Sequence, residues 1–142
     1  MSRLALLILF TPLVAFAQGN EKSDSEVATV WDLTDLFPSV EAWEEALDEV
    51  SQGIPKLESF QGRLGESAAT LEEALTIRSS LYRKLASVSV YASLKSDENL
   101  AESEPRALKQ RVSSVGSTLR QNTSWMAPEI ISLGADNIEA FI

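Results

Sequence analysis

Five carboxylates, Glu41, Glu44, Glu45, Asp48 and Glu49, crowd into one short segment. Paired carboxylates can act as acid and base or hold a hard cation. Here they recur at helical spacing, and the apolar residues among them form a seam on the opposite face. The cluster reads as a solubilising surface, not a catalytic pair. Glu72-Glu73 reads as a first-turn pair that complements the dipole of a second helix. The cations Arg78, Arg83, Lys84, Arg106, Lys109 and Arg111 could line an anion-binding surface. In so acidic a chain, pairing with the first helix is their expected use. Trp31, Phe37, Trp43 and Tyr91 are expected to pack in the core and between helices, not to form a ligand-stacking platform. Asn122-Thr123-Ser124 matches the glycosylation acceptor pattern, a weak signal. The sequence contains no histidine and no cysteine. That removes Ser-His-Asp triads, Cys-His dyads and His-ligated catalytic zinc, and leaves only all-carboxylate chemistry open. Without a Gly-rich phosphate loop either, the residues predict no catalytic, cofactor-binding or metal-binding site in this chain.

The elements that would position these groups are helical. Ser39 is a good N-cap, and from Val40 the apolar residues Trp43, Leu47, Val50, Ile54 and Leu57 follow at steps of three and four. Pro55 predicts a kink in this helix, with Gly53 loosening the turn, and Gly62 and Gly65 end the element. A second helix begins near Ser67 or Thr70, where Thr70-Leu71-Glu72-Glu73 fits a capping box. Its apolar face runs through Leu75, Ile77, Leu81, Tyr82, Leu85, Val88 and Tyr91 to Leu94. The stretch 87–94 alternates with period two, yet no turn residue separates it from the helix before it, so it is read as helical. Lys95 to Glu104 reads as a polar connection. Ser103 caps a third helix, with Pro105 in its first turn and the stripe Leu108, Val112, Val115, Leu119. Glu129 to Leu133 forms a shorter helix closed by Gly134, and Asp136 caps another, Asn137 to Ile142. The fold class expected is all-α: an antiparallel bundle or hairpin of three long helices plus one or two short C-terminal ones.

The first residues carry a different message. Met1-Ser2-Arg3, the apolar run Leu4 to Phe10 and the small residues Ala15-Phe16-Ala17 are the parts of a secretory signal peptide, with cleavage between Ala17 and Gln18. The apolar run is too short to span a bilayer, which takes about 20 residues. Residues 18–29 read as a disordered linker and 30–142 as the folded lobe. Cleavage leaves the chain at net −10, one more negative than the formal −9 of the full sequence. Such a chain would be repelled by nucleic acid and anionic lipid, and no membrane partner is expected after cleavage. The expected location is exported, periplasmic or secreted.

Three stretches carry a resemblance. They are Trp31-Asp32-Leu33-Thr34-Asp35-Leu36-Phe37-Pro38-Ser39 with Trp43, then Ile54-Pro55-Lys56-Leu57 with Phe60-Gln61-Gly62-Arg63-Leu64, then Val90 to Glu98. Together with Trp125 to Glu129, their order and spacing resemble the N-terminal region of the oligoendopeptidase F family, zinc peptidases related to thimet oligopeptidase. The resemblance implies an all-α enzyme whose two lobes enclose a channel in which short peptides are cut. Zinc held by an H-E-x-x-H helix and a further Glu would polarise the peptide carbonyl, while the motif Glu takes the proton from the attacking water. None of those ligands has a counterpart in this sequence, so the implied zinc belongs to a catalytic domain several hundred residues further on. The partners implied are that domain and, for the intact enzyme, oligopeptides. A chain stopping in a short apolar helix at Ile138, Phe141 and Ile142 is expected to be a fragment with exposed apolar surface there and at Ile130. A stand-alone secreted bundle that binds a peptide or protein is the alternative.

Overall fold

The computed structural model describes residues 31–98 and 103–141. Those residues form five helices: α1 (Val40–Glu58), α2 (Ala68–Glu98), α3 (Ser103–Thr123), α4 (Met126–Leu133) and α5 (Ala135–Glu139). Among the described residues the fold is all-α, with three long helices and two short ones. The proposed cleavage site at Ala17-Gln18, the linker and Ile142 lie outside the described residues.

Side-chain contacts fix the topology. Trp43 meets Val88 and Gly53 meets Leu81, so α1 and α2 run antiparallel. Tyr82 meets Thr123 and Leu85 meets Gly116, so α3 turns back again. The three long helices form an up-down-up bundle. Its core joins the α1 seam to Leu81, Leu85, Val88 and Tyr91 of α2 and to Leu108, Val112 and Leu119 of α3. Trp43, Val50, Leu57, Val88 and Leu119 are fully buried. Each such side chain contributes about 1.5–3 kcal/mol on leaving water, which makes this seam the main source of stability.

The α1 seam is the one the three-four spacing predicts. Ser39 caps it as expected, its hydroxyl oxygen accepting from the Ala42 N–H at 3.3 Å. Pro55 does not interrupt the helix, which runs on to Glu58. Pro55 and Ser51 are both exposed, so the carbonyl deprived of its helical donor lies on the wet side. Gly53 is buried on the α2 side of α1, where a Cβ would meet the Leu81 side chain. The stretch 87–94 is helical: Val88, Tyr91 and Ala92 are buried at helical spacing while Val90 stays 48% exposed.

Several boundaries differ from expectation. Of the two starts the sequence offers for α2, Ser67 is the cap, accepting from the Thr70 N–H at 3.1 Å, and the Thr70 capping box is not formed. Glu72 and Glu73 therefore sit beyond the first turn, where the dipole effect has fallen away. Helix α2 continues through Lys95 to Glu98, because Ser96 is buried and still part of the packed face. Helix α4 begins at Met126, ahead of Pro128. Asp136 does not cap α5; it lies inside the first turn, and Gly134, with φ 76°, occupies the boundary.

Candidate functional site

The acidic segment of α1 is split by its environment. Glu41, Glu45 and Asp48 are exposed. Glu44 reaches across to Arg111 of α3, and Glu49 pairs with Lys84 of α2. Among the described residues no group of carboxylates converges well enough to hold a metal ion. Intra-bundle pairing of the cations is thus seen at Lys84 and Arg111. Both pairs keep roughly two-fifths or more of their side-chain surface exposed, so each contributes about 0–1 kcal/mol. Arg111 also stands over the Trp43 ring, 5.3 Å from its centroid, and Arg78 over Tyr82 at 4.9 Å. Asn122 and Thr123 of the acceptor pattern lie in the last turn of α3, donating to the carbonyls of Thr118 and Leu119.

The residues that carry the resemblance converge at the two ends of the bundle. At one end the turn 31–39 packs on the last turns of α2. The Phe37 ring stands edge-on to Tyr91, with centroids 5.6 Å apart, and Trp43 stacks on Tyr91 at 6.4 Å. The Trp43 indole N–H donates to the Val88 carbonyl at 2.8 Å in the buried core. The Trp31 backbone N–H donates to Glu98 Oε1 at 2.9 Å. Trp31 itself is not a core residue, as 53% of its surface is exposed. Within the turn, Asp32 Oδ1 accepts from both the hydroxyl (2.6 Å) and the N–H (3.1 Å) of Thr34. Those two hydrogen bonds, the hydroxyl's being the larger influence, hold the Asp32 carboxyl below its ordinary range.

At the other end, the turn after α1 is clamped by α4. Gly62 has φ 78° there, a conformation that favours glycine. The Gly62 and Leu64 N–H groups donate to Glu129 Oε2 and Oε1, each at 2.8 Å. Leu64 is fully buried with Phe60, Ala74 and Met126, and Trp125 and Ile130 pack against them. Arg63 and Glu66 make a bidentate pair on the outside of the turn, which lowers the Glu66 carboxyl and raises Arg63 from their ordinary values. Neither end presents a nucleophile, a base aimed into a cavity or a convergent set of metal donors.

Comparison with known proteins finds relatives among the oligopeptidases. The chain is 31% identical over 125 residues to oligopeptidase PepF of Bacillus subtilis (strain 168), a match covering 88% of this chain and 19% of that protein. It is 28% identical over 124 residues to group B oligopeptidase PepB of Streptococcus agalactiae serotype III (strain NEM316), covering 87% and 21%. The chain is related to the oligoendopeptidase F family. A third relative, the chromosomal oligoendopeptidase F of Lactococcus lactis subsp. cremoris, is 27% identical over 113 residues, covering 79% of this chain and 19% of the relative. The chain thus spans about a fifth of the length of the curated oligoendopeptidase relatives it matches. No family model matches it, and no solved structure matches it either. Zinc is implied only by the resemblance noted in the sequence, and the residues present do not fit that ion. The sequence has neither histidine nor cysteine, and the described carboxylates do not converge.

Proposed function

We propose that this chain is the N-terminal, non-catalytic lobe of an exported zinc metalloendopeptidase of the oligoendopeptidase F type, which hydrolyses oligopeptides. The carrying observation is the match to oligopeptidases along 88% of the chain but only 19% of the relative. The lobe's part in such an enzyme is positional. A bundle whose ends are each fastened by long-range hydrogen bonds makes a stiff wall, suited to bounding a substrate channel and excluding folded proteins. Chemistry belongs to the portion of the enzyme that carries the zinc ligands. The apolar start of the sequence supports export, and −10 after cleavage supports a surface kept clear of nucleic acid and anionic lipid.

Equilibrium dialysis and a peptidase assay on the purified chain test the division of labour. The expected result is no stoichiometric zinc and no hydrolysis of a fluorogenic oligopeptide beyond buffer. One tightly held zinc per chain, or turnover that a chelator abolishes, contradicts it.

A further inference from the structure

The grooves between the helices are not alike. The one between α2 and α3 is mixed, with Ser89, Ser93, Ser113, Lys109 and Arg120 beside Leu85 and Val112, so water can satisfy much of its surface. A groove of about 450 Å³ between the first half of α2 and α5 is more apolar, with Leu71, Leu75, Ile138 and Phe141 in its walls beside Glu72 and Arg83. Leu75 keeps 36% of its surface exposed although it lies on the helix face the sequence marks for burial. Ile131, at the same end of the molecule, is 79% exposed.

Helix α5 makes the gap more telling. It has five residues, no side-chain cap and no buried residue, and it packs on α4. A helix that short has no stability of its own in water and persists only through packing. Ile138 and Phe141 lean toward α2 without closing the groove, so both walls of an apolar slot are present and its filling is not.

The length of the relatives points to the filling. In each of them the matched segment is joined to the remaining chain, about four-fifths of the whole protein, and that chain must meet the segment over some surface. Charged outer faces such as that of Glu41, Glu45 and Asp48 are poor candidates, because burying them strips water from unpaired charges. We infer that the α2–α5 groove is the seat for the remaining portion of an oligoendopeptidase-type enzyme, entered by an apolar ridge that packs between Leu75 and Phe141. This inference rests on the function proposed above and assigns the interface to particular residues.

The probe is oligopeptidase PepF of Bacillus subtilis with its matched 125-residue segment deleted, checked for a folded circular-dichroism spectrum. Its binding to the full chain is measured by calorimetry for the wild type, Leu75→Asp, Phe141→Asp and Val90→Asp. Val90 is exposed on α2 outside the groove and serves as the surface control. The wild type and Val90→Asp are expected to bind alike, with Leu75→Asp and Phe141→Asp weaker by at least about tenfold. Unchanged thermal melting of the variants shows that the loss is not unfolding. Equal binding by all four overturns the groove assignment and leaves the proposed function standing. Absence of binding by the folded wild-type chain overturns the inference, and the zinc and peptidase measurements above then decide the proposed function separately. Self-association of the wild type that Leu75→Asp abolishes, with no binding of the truncated enzyme, assigns the groove to a second copy and overturns the inference.

Discussion

Glu129 Oε1 accepts a hydrogen bond from the Leu64 N–H at 2.8 Å across 65 residues of sequence. Its other oxygen takes the Gly62 N–H at the same distance. One carboxylate thereby satisfies two turn donors that no helix can reach, and it ties α4 to the turn between α1 and α2.

Replacing Glu129 with Ala removes both acceptors and leaves the partly buried Leu64 N–H without its partner, at a cost of about 2 kcal/mol. Glu129→Gln keeps one acceptor oxygen and is expected to lose about half as much. Urea denaturation gives the magnitudes, and amide exchange gives the place. Gly62 and Leu64 should lose protection most. Unchanged exchange there, with the same overall loss, contradicts the clamp.

Two buried glycines should respond oppositely to alanine. A Cβ on Gly53 would lie 2.4 Å from Leu81 Cδ2, with Cδ1 and Cγ also close, so a buried leucine has to shift. That cost, about 1–3 kcal/mol, outweighs the roughly 1 kcal/mol alanine gains over glycine in a helix. A Cβ on Gly116 meets Leu85 Cδ2 at 3.4 Å, an ordinary contact. Gly53→Ala is expected to lower the melting temperature and Gly116→Ala to raise it. Leu81→Val should soften the Gly53→Ala penalty, and a double-mutant cycle checks the coupling.

Trp43→Phe keeps most of the ring but deletes the indole N–H that donates to the buried Val88 carbonyl. The expected loss is about 1–2 kcal/mol by chemical denaturation, from the lost hydrogen bond and imperfect repacking. A neutral result would show that the Val88 carbonyl needs only its helical donor.

The depressed Asp32 carboxyl gives a pH test. Its folded pKa lies below the unfolded one, so its contribution to stability is complete above the unfolded pKa of about 3.9 and is lost as pH falls through the folded value. Thr34→Val deletes the larger of the two causes, and NMR titration should show the Asp32 carboxyl moving up toward its ordinary range. A titration curve unmoved by Thr34→Val would assign the depression elsewhere.

What could be read from the sequence follows from where each determinant resides. The α1 seam and the Ser39 cap were legible because both are local, one a periodicity and the other a side chain three residues from its donor. The period-two stretch at 87–94 was resolved correctly because Val88, Tyr91 and Ala92 needed only a helix already under way. Pro55 leaves α1 unbroken because a proline on the wet face forfeits a bond that solvent can supply. Gly53 was misjudged because its value lies in Leu81, 28 residues away, which spacing cannot reveal. The same is true of Glu129, whose proximity to Pro128 marked a helix start but whose partners are set by tertiary approach. Trp31 was assigned to packing on residue type alone, and only its backbone N–H proves to be engaged long-range.

The role proposed for this sequence is that of a channel-walling lobe of an oligopeptidase whose chemistry resides elsewhere. Reading the gene through and beyond the codon for Ile142 tests it most directly. The account predicts an open frame continuing for several hundred codons to an H-E-x-x-H segment. A stop codon directly after Ile142 would contradict it, leaving a helical bundle with no catalytic portion to wall.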